Sequence, residues 1–198
     1  MANRQYKKGL PFRDATLYII ACEGEKREKE YFEYIASLSQ RIKIKILFEN
    51  QDKGKSAPKW LLDRATSYCE DIGLNSSDEL WLVMDVDRWS RDVFRQIEQA
   101  CKDNHWNIAI SNPCFEVWLY AHLSNPDECT GTTCKQIKRE LDNLQKGGYK
   151  VDVFIHKIKD AIQNCKNNDN HATHFMPEPK GSKMYKLAEK LIKVIDSK

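Results

Sequence analysis

Asp85 and Asp87 flank Val86 at the C-terminal edge of the apolar run Leu80-Trp81-Leu82-Val83-Met84. Side chains two apart on an extended segment share a face, so these carboxylates can converge on one hard cation such as Mg²⁺. Strand ends are also where open α/β sheets keep their active sites. Two further carboxylates fall at comparable places: Glu23 follows the apolar run 16–22, and Glu116 lies just beyond the run 106–110. Parallel strands would align these ends along one edge, where several carboxylates hold one or two divalent ions and repel each other without them. Two metals about 4 Å apart can activate water and neutralise a leaving oxygen, the chemistry of phosphodiester hydrolysis. Glu23 is then placed as general base or further ligand. Taken singly, each carboxylate also has a bland reading, as a solvated turn or, for Glu116, as an acid in the first turn of a helix. Their joint placement favours chemistry.

The elements that must position these residues follow from hydrophobic periodicity. Residues 16–22 read as a buried strand, and Tyr31, Phe32, Ile35 and Leu38 recur at helical spacing over about 25–40. Residues 42–48 begin by alternating Ile with Lys and suit a strand near the sheet edge. After the loop 51–56, Pro58 opens a helix whose apolar face is Leu61, Ala65, Tyr68 and Ile72, stopped by Gly73. The strand 80–84, a helix over 91–104 and a last strand 106–110 follow, and Ser111-Asn112-Pro113 reads as the cap and first turn of a helix running to about 123. This alternation predicts an α/β fold: a small, mostly parallel sheet with helices on both faces. Three helical patterns and no strand fill the remainder. The expected division is a tail (1–13), a core (14–128) and a helical C-terminal extension packed on that core (129–198).

With 198 residues, 41% hydrophobic and 31% charged, the chain has the composition of a single globular core with room for a small appendage. The net charge of +3, from 32 basic and 29 acidic residues, means that any nucleic-acid site must come from local clustering. No apolar stretch approaches the length of a membrane span, and the basic first residues are not followed by a signal-peptide core, so no membrane association and a cytoplasmic location are expected. Seven cysteines without a C-x-x-C pair suggest reduced thiols rather than disulfides or zinc.

Three blocks carry a family likeness. Cys22-Glu23-Gly24-Glu25 with Tyr31-Phe32, then Asp85-Val86-Asp87-Arg88, then Ser111-Asn112-Pro113-Cys114-Phe115-Glu116-Val117-Trp118-Leu119 with His122, closely resemble the RloB-like (AbiLii-like) branch of the Toprim superfamily. The likeness extends over roughly residues 14–195. It implies a Toprim-like fold in which Glu23, Asp85 and Asp87 match the acidic metal-site residues and Glu116 a further acidic position of nuclease-like members, with Mg²⁺ or Mn²⁺ as cofactor. It also implies a neighbouring ATPase of the ABC/AAA type and a role in bacterial phage defence by abortive infection. Related nucleases use a late lysine to stabilise charge on the phosphate, a role that Lys183 or Lys180 would fill. The chain departs from its relatives at Arg27, where they often carry threonine, and its segment 177–187 fits their pattern loosely.

Other residues have two readings each. Trp89, after Asp87-Arg88, either stacks on a base beside Arg88 or caps the sheet edge. Lys53 and Lys55 form a basic turn suited to a nucleic-acid backbone, without the spacing of a phosphate loop. Asp169, His171 and His174 make a short cluster of metal-ligand types with no fourth partner in sequence. His122 is either a partner of the acidic site or a satisfied core histidine. The expected function is a Mg²⁺-dependent nuclease cutting DNA or RNA, tRNA included among its candidate substrates. The alternative is a non-catalytic or conditionally active partner subunit of the ATPase, with an oligomer open in either case. A primase-like phosphotransferase is disfavoured by the lack of a zinc motif.

Overall fold

In the computed structural model the described residues are 15–22, 24, 26–48, 57–86 and 89–197. Four runs rich in β-branched and other apolar residues form strands: β1 (Thr16–Cys22), β2 (Ile42–Phe48), β3 (Glu79–Asp85) and β4 (Asn107–Ser111). They make one sheet in the order β2-β1-β3-β4, and every pairing is parallel. Parallel neighbours need crossovers, which the intervening helices supply: α1 (Arg27–Ser37), α2 (Ala57–Ile72) and α3 (Arg91–Asn104). β2 lies at an edge as expected, with Lys43 and Lys45 exposed between the apolar positions.

Alternation along the central strands divides the core in two. Tyr18, Ile20 and Cys22 of β1 and Trp81 and Val83 of β3 face one apolar cluster, and Leu17, Ile19, Ala21, Leu80, Leu82 and Met84 face the other. The second cluster is closed by Leu61 and Ala65 of α2 and by Phe94, Ile97 and Cys101 of α3. The first takes Tyr31, Phe32 and Ile35 of α1 together with the helices after β4: α4 (Glu116–Ala121), α5 (Cys134–Leu144), α6 (Val151–His156), α7 (Ile158–Asn167) and α8 (Met184–Asp196). Burying a side chain such as Phe32 or Ile35 contributes about 1.5–3 kcal/mol. The helical extension thus continues the core on the α1 face, and the sheet has helices on both sides.

Three local expectations are corrected. The helix expected from residue 112 begins at Glu116, because Ser111 is still in β4 and residues 112–115 form the loop between them. The second helical pattern of the remainder, Phe154, Ile158, Ala161, Ile162 and Cys165, suggests one helix but is broken at Lys157 into α6 and α7, since hydrophobic spacing persists across a change that only the backbone reveals. The extension, expected to be purely helical, also reaches the sheet: Ser182 makes an isolated antiparallel bridge to Ser111. Among the described residues no helix is long and apolar enough to cross a membrane.

Candidate metal centre at the sheet edge

Asp85 is the last residue of β3, and its register partner across the sheet is Ser111, the last residue of β4. Ser111 in turn faces Ser182, with the two hydroxyl oxygens 2.8 Å apart and both residues buried. The C-terminal edge of the sheet therefore runs from Asp85 through Ser111 to a segment more than seventy residues later. That segment is tied to the β4 loop at three further points. Lys183 N–H donates to the Ile110 carbonyl (2.8 Å), Asn112 N–H to the Gly181 carbonyl (2.9 Å), and the Asn112 side-chain amide to the Pro177 carbonyl (3.1 Å). Gly181 is required here, because a Cβ would lie 2.9 Å from the Glu178 carbonyl oxygen.

Glu116, in the first turn of α4, sits just past this anchored loop. Between Ser111 and Glu116 lies Cys114, buried among thiol and carboxylate neighbours. Burial first, then its hydrogen bond with Cys134, then the charges of Glu116 and Asp85 drive the Cys114 thiol far above its ordinary pKa. Asp85 pairs in register with Ser111, and the short anchored loop after Ser111 leads to Glu116, so both carboxylates belong to the same end of the sheet. Both are half-buried. Glu23, Asp87 and Arg88, and the loop lysines Lys53 and Lys55, lie outside the described residues. Among the described residues no three His, Cys, Asp or Glu side chains gather closely enough to hold a metal ion. The donor set that is visible is carboxylate oxygen on a strand end, chemistry that fits a hard divalent cation rather than a thiophilic one.

Glu116 already has a cationic partner. The Arg27 guanidinium donates to Glu116 Oε1 at 3.0 Å, and its other terminal nitrogen is 3.9 Å from Asp142. The guanidinium also lies over the Tyr149 ring, 5.5 Å from its centre.

The sequence model of the RloB-like protein family matches residues 18–191, a span that contains the strand ends, α4 and the loop ahead of α8. The chain belongs to the RloB-like family. No curated protein and no solved structure matches it.

The remaining candidates of this RloB-like protein take definite places. Lys183 is buried, its side chain 1% exposed, and its ammonium is 2.5 and 2.6 Å from the two Asp169 oxygens and 2.9 Å from the His171 carbonyl. Tyr185 completes the cluster, donating its hydroxyl to Asp169 at 2.7 Å. Burial pushes the Asp169 carboxyl up, but the hydrogen bonds from Lys183 and Tyr185 and the ammonium charge together hold it below the ordinary carboxylate value. The ammonium is thus committed to a carboxylate and shielded from solvent, so Lys183 does not present a charge to a phosphate. Lys180, in the left-handed region at φ 63°, donates to the Cys129 carbonyl. Of the Asp169, His171 and His174 cluster, the Asp169 carboxylate and the His171 carbonyl hold Lys183, and the two exposed imidazoles stack on each other with ring centres 5.0 Å apart.

Trp89 is half-buried against the α2/α3 cluster, the sheet-capping arrangement. His122 is the satisfied core histidine: it is 1% exposed, with Nδ1 2.8 Å from the Trp118 carbonyl and Nε2 3.1 Å from the Tyr31 hydroxyl. The carbonyl can only accept, so Nδ1 carries the proton and Nε2 accepts from Tyr31. Its burial lowers the imidazole pKa to about 4. The residues that sequence reasoning missed are Ser182, Asp169 as the partner of Lys183, and Arg27 as the partner of Glu116. All are long-range pairings; the one local signal was Arg27 itself, an unusual residue type beside Glu23.

Proposed function

We propose that this RloB-like chain is a Toprim-type, divalent-metal-dependent nuclease that hydrolyses phosphodiester bonds in DNA or RNA. The observation that carries the reading is the place of Asp85 at the C-terminal end of a parallel strand, paired in register with Ser111 ahead of the anchored loop that leads to Glu116. Asp85, Asp87 and Glu116 would hold Mg²⁺ or Mn²⁺, with Glu23 as general base or further ligand. The ion, when bound, supplies a water of lowered pKa and stabilises charge on the phosphate oxygens. The chain's own part is positional. β3 fixes the Asp85 carboxylate at the strand end, and the Asn112 clamp on residues 177–181 fixes the loop that delivers Glu116. Arg27, paired with Glu116, is a cation at this edge that could meet an incoming phosphate.

The test is cleavage of plasmid DNA, single-stranded DNA and tRNA with Mg²⁺ or Mn²⁺ present. Loss of cleavage in Asp85→Ala/Asp87→Ala protein of unchanged fold supports the reading, and undiminished cleavage by that variant refutes it.

A second reading has its own observation. The Arg27–Glu116 ion pair shows one candidate ligand already occupied in the isolated chain. This favours a conditionally active subunit, switched on by a partner such as an ABC/AAA-type ATPase in a cytoplasmic phage-defence (abortive infection) system. Nuclease activity that appears only after co-purification with the ATPase would select this second reading.

A further inference from the structure

Arg27 occupies a place that the local structure does not favour. It is in the first turn of α1, where the positive end of the helix dipole disfavours a cation and where Glu28 and Glu30 are the residues of the right sign. Its guanidinium crosses instead to α4, 89 residues later, and meets Glu116 Oε1 at 3.0 Å. Three groups hold it there: Glu116, the Asp142 carboxylate at 3.9 Å, and the face of Tyr149. Tyr149 is itself fixed, stacked on Phe154 with ring centres 5.2 Å apart and donating its hydroxyl to the Arg27 carbonyl at 3.4 Å. The Arg27 and Glu116 side chains keep 19% and 17% exposure, so the pair is reachable from solvent. A divalent ion and a guanidinium compete for one carboxylate, since each weakens the other by like-charge repulsion. A guanidinium released from a carboxylate is a ready bidentate partner for a phosphate, whose oxygens it fits with the same fork geometry.

We propose that Arg27 is a resident cation on Glu116 that a divalent ion displaces and a nucleic-acid phosphate then receives, so that metal and polyanion bind cooperatively. This rests on the metal-centre reading above. Metal alone meets competition from Arg27, and phosphate removes that competition by giving the guanidinium a new partner. Arg27 is thereby a positioning residue in the metal-free chain and a phosphate contact in the loaded one.

The test measures Mn²⁺ affinity by electron paramagnetic resonance of the free ion, with and without a short oligothymidylate, in wild type, Arg27→Gln, Arg27→Lys and Asp85→Asn. In wild type the oligonucleotide should tighten Mn²⁺ binding by about threefold to fivefold, the scale of a partly exposed ion pair. Arg27→Gln should bind Mn²⁺ that much more tightly without oligonucleotide and lose the enhancement, and Arg27→Lys, which keeps the charge, should stay near wild type. Weaker or unchanged Mn²⁺ binding in Arg27→Gln, with Asp85-dependent binding in wild type, overturns the role of Arg27 and leaves the metal centre standing. Absence of Asp85-dependent Mn²⁺ binding in wild type and Arg27→Gln alike overturns both. Thermal melts of each variant confirm that the fold is retained.

Discussion

Lys183 and Asp169 form a buried ion pair, with the lysine side chain 1% and the aspartate side chain 9% exposed and nitrogen and oxygen 2.5 Å apart. Tyr185 and the His171 carbonyl complete the hydrogen bonding, so the pair joins the start of α8 to the loop after α7. Removing one partner of such a pair strands the other charge, which costs about 3–5 kcal/mol. Asp169→Asn and Lys183→Ala should both lower the unfolding midpoint steeply, and Lys183→Met/Asp169→Leu should recover much of the loss. Urea denaturation of the set checks this; equal stability of the single variants and wild type would contradict it.

The same pair predicts an acid limit. The folded Asp169 carboxyl titrates below its ordinary value of 3.8, so its contribution is fully present above that pH and is lost as pH falls through the folded value. Wild type should therefore lose more stability than Asp169→Asn on acidification below 3.8, measured by urea unfolding at matched ionic strength.

His122 sets a second and higher window. Its imidazole is held neutral by burial down to about 4, whereas the unfolded chain takes up the proton at 6.5. Here too the folded value is depressed, so stability is complete above 6.5 and declines as pH falls towards 4. Within that window the slope should approach about 1.4 kcal/mol per pH unit. His122→Gln should flatten it, and NMR of the imidazole nitrogens should show a neutral ring protonated at Nδ1 at pH 6.

Substitutions at the acidic edge should separate chemistry from folding. Glu116→Gln and Asp85→Asn should each reduce metal-dependent cleavage by at least about a hundredfold, the scale of losing a group that stabilises developing charge. Neither should shift the thermal midpoint by more than a few degrees, because both side chains are half-buried at a strand end or helix start. Chelation by EDTA should abolish cleavage and Mn²⁺ should restore it. Cleavage that survives EDTA would remove the metal from the reaction.

Two glycines offer a contrast in backbone demand. At Gly181 an added Cβ would meet the Glu178 carbonyl at 2.9 Å and Pro177 Cβ at 3.2 Å, so Gly181→Ala should cost about 1–3 kcal/mol and loosen the Asn112 clamp. At Gly73, with φ of 61° and no atom within 4 Å, alanine should cost only the left-handed strain of about 1–2 kcal/mol. Melting curves and cleavage rates together distinguish them: only the Gly181 variant should change activity beyond its change in stability.

The α/β framework was legible because each strand and each long helix declares itself locally. The run 16–22 and the Ile/Lys alternation at 42–48 became β1 and an edge strand, and Leu61, Ala65, Phe94 and Ile97 became the inward faces of two crossover helices. What stayed hidden depends on partners distant in sequence. Nothing near Ser182 announces a bridge to Ser111, and a polar loop containing Asp169 gives no sign that its carboxylate waits for Lys183. Lys183 reads in sequence as a candidate for the late lysine of related nucleases, and nothing near it announces its backbone bond to Ile110 or its buried ion pair. At the candidate site, Asp85 and Glu116 were legible as acidic strand-end residues, but the occupation of Glu116 by Arg27 was not, because it joins two helices whose proximity is a property of the sheet order.

The Ser111–Ser182 bridge has a consequence for synthesis. A polypeptide emerging from the ribosome can complete β1 to β4 with residue 111, yet the outer side of β4 cannot acquire this partner until residue 182 has followed it out. Until then the loop that carries Asn112 towards Glu116 lacks its contacts with residues 177–181 as well. A prematurely terminated product ending before this point would contain the sequences of all four strands but not the segment that completes the acidic edge, so the site cannot be finished before residue 182 has been made.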